Sequence, residues 1–328
     1  SAGALDLTAL SASGGSGGSG GGTPKAGGGW PRDRIDASGL AAFDADLTLA
    51  AQSVDLGQFK LGATEIRATN TQSRAVFDIQ RMAAYGGQIA GDFVMNNRSG
   101  LSVGGRLRAT GVDMKALLTA AAGISRFKAT GEARVEFLGV GNSLDAIMRS
   151  LSGNGGFSTG RGVIDGIDLD RLMRGDMTTG GTTVFDAMTA SFTIAGGVLR
   201  NDDLSMALPF AKATGQGQID LGGQSIDYTV TPISLTARDG RGLQVPVRVR
   251  GPWADPKISI DLEKAVKQNF EAEIDAKEQE VKQKVEDKIT DKLGVDRNAD
   301  QSVEDAVKDK VEDKLKDELK KGLGKLFE

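Results

Sequence analysis

The chain has 328 residues, with 40 Lys and Arg against 44 Asp and Glu, and neither Cys nor His. The two missing residue types exclude imidazole acid–base chemistry, Ser-His-Asp and Cys-His triads, and the usual zinc and iron–sulfur ligand sets. A net charge of −4 argues against a broad nucleic-acid footprint, and no stretch of about 18 apolar residues is present to cross a membrane as a helix.

The chain opens at Ser1 without Met and is read as a piece of a longer protein, with any membrane anchor lying upstream. "LDLTAL" at 5–10 alternates apolar and polar residues, so 1–10 are assigned to the end of a preceding strand region. "SASGGSGGSGGGTPKAGGG" follows. It lacks the Lys-Ser/Thr spacing of a nucleotide loop, so 11–34 are read as a Gly/Ser-rich linker or loop.

Residues 35–262 repeat one signal. "FDADLTLA" sets Phe43, Ala45, Leu47 and Leu49 on one side and Asp44, Asp46 and Thr48 on the other, the period of a half-buried strand. The pattern returns in "AVFDIQRMAA", "QIAGDFVMNN", "LSVGGRLRAT", "GEARVEFLGV", "ASFTIAGGVLRN", "GQGQIDL", "SIDYTVTPISL", "VPVRVRG" and "KISIDL". Strands about every ten residues, separated by turn residues, indicate an antiparallel meander. Three short helices interrupt it. Residues 113–123 begin at Asp113, a cap residue, and stop at a glycine. Residues 142–153 carry Leu144, Ile147, Met148 and Leu151 on one face. Residues 168–175 form one or two turns.

"GGFSTGRGVIDGIDLDRLM" at 155–173 poses a choice among a phosphate loop, a metal loop and a corner. Gly160 and Gly162 are not followed by a third glycine at the nucleotide-binding spacing. Asp165, Asp168 and Asp170 do not have the glycine placement of a calcium loop, and no second acidic cluster supports a glycosidase. The reading adopted is structural: a strand carrying Phe157 and Ile164 turns at Gly166, and Asp168 or Asp170 caps the helix holding Leu169, Leu172 and Met173. No catalytic residue, cofactor or metal is assigned, and an enzyme is not expected.

From Asp261 onward the texture changes, with 15 Lys and Arg and 20 Asp and Glu. Apolar residues recur every fourth position at Leu262, Val266, Phe270 and Ile274, then at Val281, Val285, Ile289 and Leu293. A second series runs Val303, Val307, Val311, Leu315, Leu319 and Leu323. Residues 263–328 are therefore expected to form a charged amphipathic helical tail. Its narrow apolar stripe suits a partner helix, a sheet edge or a lipid interface, or simply a solvated helical hairpin.

The order of segments resembles the AsmA-like family. "LSGNGGFSTGRGVIDGIDLDRLM" is similar to its helix-to-strand-to-turn signature, with a looser glycine spacing at Gly166. "YGGQIAGDFVMNNRSGLSVGGRLRATGVDMKALL" at 85–118 looks like its Tyr-Gly-Gly strand and following helix. "WPRDRIDASGLAAFDADLTLAAQSVDLGQFKLG" matches its opening segment, and "VPVRVRGPWADPKISID" its closing strands. The likeness runs from about Leu5 to Leu262. It implies a protein attached to the bacterial inner membrane by an upstream anchor and extending into the periplasm. It further implies a relative of bridge-like lipid transfer proteins, contributing to outer-membrane phospholipid homeostasis and envelope assembly. The implied fold is mainly β with short helices: a curved antiparallel sheet forming an apolar groove (β-taco-like) over 35–262, followed by the charged tail. The expected partners are phospholipid acyl chains and, for the tail, an envelope protein; acting through that tail as an assembly module is the second functional reading.

A groove would be lined by alternate strand residues. The candidates are Phe43, Leu47, Leu49, Val76, Ile79, Ile89, Phe93, Val135, Phe137, Phe192, Ile194, Ile219, Tyr228, Val230, Val247 and Val249. The same side chains would equally serve as the filled core of a β-sandwich. An outer-membrane barrel is disfavoured, because two Trp and two Tyr cannot form aromatic girdles.

Overall fold

The computed structural model describes residues 2–6, 29–55, 60–173, 180–238 and 241–261. Most of the Gly/Ser tract and the whole expected tail lie outside them. Among the described residues the protein is one open sheet of 17 strands with three short α-helices and a single 3-10 turn, Ser38–Ala41.

The strands are β1 (Ala2–Asp6), β2 (Ala45–Asp55), β3 (Lys60–Leu61), β4 (Thr64–Thr71), β5 (Arg74–Ala84), β6 (Gly87–Asn96), β7 (Ser102–Asp113), β8 (Phe127–Val140) and β9 (Ser152–Asp165). They continue as β10 (Thr182–Phe185), β11 (Ala187–Ala195), β12 (Val198–Ala207), β13 (Ala211–Asp220), β14 (Ser225–Arg238), β15 (Arg241–Gln244), β16 (Val247–Pro252) and β17 (Lys257–Ile260). Each pairs antiparallel with its predecessor or shares a neighbour with it; the exception is β1, which lies parallel to β2. Three of the 17, namely β3, β10 and β15, run in line with a longer strand on the same neighbour, leaving 14 side by side. At about 4.8 Å per strand the sheet is roughly 60 Å wide.

The expected meander is therefore present. Each alternating segment from "FDADLTLA" onward lies largely on a strand, whereas of "LDLTAL" only Leu5 and Asp6 belong to β1 and 7–10 lie outside the described residues; "ASFTIAGGVLRN" is the β11–β12 hairpin, turning at Gly196 and Gly197, both with positive φ. The helices follow their caps. Helix α1 (Met114–Ala122) starts where the Asp113 carboxylate accepts from the Ala116 N–H at 3.1 Å and ends at Gly123 with φ +70. Helix α2 is shorter than its apolar pattern, Leu144–Ser150, because Leu151 is already extended and leads into β9. In α3 (Leu169–Met173), Asp168 is the capping residue, accepting from the Arg171 N–H at 3.0 Å. The 155–173 stretch is thus a strand-to-helix corner with Gly166 at φ +94, and Asp165 pairs with Lys128 at 2.5 Å.

One half of the sheet curls on itself. Leu169, Leu172 and Met173 of α3 pack with Phe185, Met188, Leu204, Met206, Ala211 and Val247 into one core, against which Phe127, Phe157, Ile258 and Ile260 also lie. These residues span β8 to β17. Arg126, immediately before β8, reaches Asp255 in the β16–β17 turn at 3.4 Å, which ties the two sides of the curl. Helix α1 closes a smaller cluster of Ala109, Val112 and Met114 beside Tyr85 and Ile89.

Residues 29–44 form a strap across the strand ends. The Gly29 N–H donates to Gln224 Oε1 at 3.0 Å and the Trp30 indole to the Leu221 carbonyl at 2.6 Å. Trp30 sits edge-on to Trp253 with centroids 6.0 Å apart. Further along, the Pro31 carbonyl accepts from Asp145 and the Ala37 carbonyl from Asn97. Asn70 closes the strap with bonds to the carbonyls of Leu40 and Phe43.

Candidate functional site: an apolar row across the sheet

Residues directly opposite one another in an antiparallel ladder project to the same side. Following the register across the sheet gives one unbroken row: Leu47, Ala68, Phe77, Phe93, Gly105, Phe137, Gly153, Ile194, Leu199, Ile219 and Ile226. A second row, two residues along each strand, holds Leu49, Ile66, Ile79, Gly91, Leu107, Val135, Gly155 and Phe192. Neither row contains a charge.

The opposite side reads quite differently. Its row is Thr48, Arg67, Asp78, Asp92, Arg106, Glu136, Asn154, Thr193, Arg200, Gln218, Asp227 and Arg250. Arg67 grips Asp46 through two bonds of 3.0 and 2.6 Å, and Arg248 holds Asp227 through two of 3.0 Å. Those guanidinium hydrogen bonds hold both carboxyls below the ordinary carboxylate range. A depression of about 820 Å³ on this side is lined by Arg200, Gln218, Asp227 and Arg248 and is polar.

The apolar side is filled at one end and uncovered at the other. Toward β16, Val247 is 0% exposed, and Tyr228 and Val230 pack against the same core. The Tyr228 hydroxyl bonds to Asn201 Oδ1, and burial, with Asp203 and Asp202 nearby, pushes its pKa up. Toward β2 the same side loses its cover. Phe77, Phe93, Leu107, Val135 and Phe137 are only half-buried, and Leu47 is 61% exposed. Phe77 and Phe93 have ring centroids 6.1 Å apart, and Phe93 and Phe137 6.3 Å. The second pair lies two strands apart, with Gly105 between them. A Cβ on Gly105 would stand 2.1 Å from the Asp92 carbonyl oxygen and 3.0 Å from Phe93 Cα, so no side chain fits there. The result is an aromatic strip across β5 to β8.

Fourteen of the candidates drawn from the sequence lie on this side: Leu47, Leu49, Ile79, Ile89, Phe93, Val135, Phe137, Phe192, Ile194, Ile219, Tyr228, Val230, Val247 and Val249. They do not share one environment. Ile194 is 7% and Ile79 8% exposed, so both are core residues, as are Val247 and its neighbours. Val76 is on the charged side, opposite Val94, because it differs from Ile79 by an odd number of residues. Phe43 precedes β2 and is 59% exposed at the end of the strap. Sequence reasoning passed over Phe77, Leu107, Leu199 and Ile226. Parity with Ile79 would have found Phe77, and parity with Gly105 would have found Leu107. No described helix is long and apolar enough to cross a membrane.

The model of the AsmA family matches residues 19–204, more than half of the chain. No curated protein and no solved structure matches.

Proposed function

Because this chain belongs to the AsmA family, a family of envelope-associated proteins, we propose that it binds phospholipid acyl chains along its apolar row as a non-enzymatic segment of lipid transfer in the periplasm. The observation that carries the reading is the half-buried strip of Phe77, Phe93 and Phe137, continued by exposed Leu47, in a row without charges. An acyl chain of ~16 carbons in water costs about 12 kcal/mol at ~0.8 kcal/mol per methylene. A carrier offsets that cost with continuous hydrocarbon, not with a shaped pocket, and a row one strand wide at every step supplies it.

The filled end limits the reading usefully. Val247, Ile194 and the α3 cluster hold the sheet together, while β2 to β8 present the surface. On this view lipid enters from the β2 side and lies across the strands, with its polar end toward the strand ends. Purification in mild conditions followed by mass spectrometry of an organic extract tests it. Stoichiometric phospholipid is expected; protein that refuses labelled phospholipid both as purified and after incubation with vesicles overturns it.

A further inference from the structure

On the charged side, β7 and β8 set Arg108 directly opposite Arg134. Like charges in opposed positions destabilise an antiparallel pair. Asp78 faces Asp92 in the same way, but there the conflict is compensated, since Arg67 lies opposite Asp78 and Arg106 pairs with Asp92 at 3.0 Å. Arg108 and Arg134 have no such help. Neither makes an ion pair or side-chain hydrogen bond among the described residues. Their outer neighbours in the row are Ala90 and Gly156.

Acids stand nearby without joining them. Glu132 and Glu136 flank Arg134 along β8. Asp203 is already taken, accepting from the Ser191 N–H at 2.8 Å, the Ser191 hydroxyl at 2.5 Å and Asn201 Nδ2 at 2.6 Å. Both arginines line two adjoining depressions of about 320 and 360 Å³; the first is also lined by Ser158, Glu132 and Asp203, and the second by Arg106, Asn154 and Glu136, so the second holds three arginines against one carboxylate. Gly156 adds no side chain to the floor.

We propose that Arg108 and Arg134 form a binding site for a phosphate group. A guanidinium presents a planar fork that matches phosphate oxygens in two parallel bonds. A dianion between two forks meets two positive charges and removes their mutual repulsion. Ser158 and Asn154 add neutral donors at the margins. The site lies on the side of the sheet opposite the apolar row, so it stands independently of the lipid reading.

The test uses the full chain at constant ionic strength, with chloride as the balancing anion. Inorganic phosphate and glycerol phosphate are titrated by calorimetry, and vesicles of phosphatidylcholine with and without phosphatidic acid are assayed by co-sedimentation. Phosphate should bind the wild type and bind Arg108→Gln and Arg134→Gln about tenfold more weakly or worse, the scale of a lost charged hydrogen bond. The double variant R108K/R134K should fall between them. The thermal midpoint of the wild type should rise with phosphate; that of R108Q/R134Q should start above the wild type in chloride and not respond. Binding of the soluble esters alone identifies a free phosphate ligand, and arginine-dependent binding of phosphatidic acid vesicles identifies a lipid headgroup. Equal affinity in wild type and R134Q, or a wild type that responds to phosphate no more than to chloride, overturns the proposal.

Discussion

Replacing Phe93 with Asp puts a charge in the middle of the aromatic strip, between Phe77 at 6.1 Å and Phe137 at 6.3 Å. A covered Phe side chain buries on the order of 150–250 Å². Phe93 is half-buried in the free protein, so an acyl chain laid on it covers roughly 50–100 Å² more, worth about 1–2.5 kcal/mol at 25 cal/mol per Å². That alone weakens lipid binding about five- to seventyfold. The aspartate adds the cost of pressing a carboxylate against hydrocarbon, and its short stem cannot carry the charge aside as lysine would. Folding stability should fall by roughly 2 kcal/mol, about half of a full core truncation, since the site is only half-buried. The assay is retention of a fluorescent phospholipid, read beside a urea melt for each variant. Phe93→Leu, which keeps hydrocarbon at the position, should stay within about threefold of wild type on the same area scale. A folded F93D protein that holds lipid within threefold of wild type would refute the assignment of the strip as the binding surface. Ile194 is unsuited to this test, because at 7% exposure a charge there would disturb the core first.

Other consequences follow from packing and ionisation. Gly105→Val should cost at least ~3 kcal/mol in urea denaturation, since its Cβ meets backbone atoms of Asp92 and Phe93 that cannot yield; a smaller loss would mean the β6–β7 spacing is wider than described. Trp30→Ala should release the strap at a cost of about 3–5 kcal/mol and expose Trp253. The chain has only two Trp, so the emission of Trp253 in that variant reports the contact directly, and an unshifted spectrum would show that the strap does not pack there. Asp227 has its folded pKa lowered by Arg248 and Arg250, so its contribution is complete above the unfolded carboxyl value near 3.9 and is lost as pH falls through the lower folded value. Asp227→Asn should therefore lower the melting midpoint at neutral pH and narrow the gap to wild type below about pH 3, whereas a constant gap across that range would count against the pairing.

Much of the fold is legible in the alternation of residues. "FDADLTLA" reads as a strand because apolar and polar residues alternate, which an extended chain places on opposite sides, even though the apolar side of β2 stays largely uncovered. Helix caps are equally local: Asp113 and Gly123 bound α1 because a carboxylate satisfies a free N–H and glycine tolerates a left-handed φ. Strand β4 escaped notice because "TEIRATNT" sets Glu65, Arg67 and Thr69 beside only one large apolar residue, Ile66, and the small Ala68. The site was half legible. Period two separates the sides within a strand, which is why Val76 and Ile79 could not both line one surface without a bulge between them; the bulge of β5 comes only after Ile79.

The residue order alone established an antiparallel, glycine-rich β protein with capped helical interruptions and chemistry restricted by the absence of Cys and His, because strand period, caps and side-chain reactivity are properties of near neighbours. Which greasy side chains are sealed and which remain uncovered was decided only by tertiary structure. Val247 and Leu47 obey the same alternation, yet one is enclosed by the curl of β8 to β17 over α3 and the other lies on the uncurled β2 side. Burial depends on what strands far apart in the chain bring over a residue, and a pattern of period two carries no record of that.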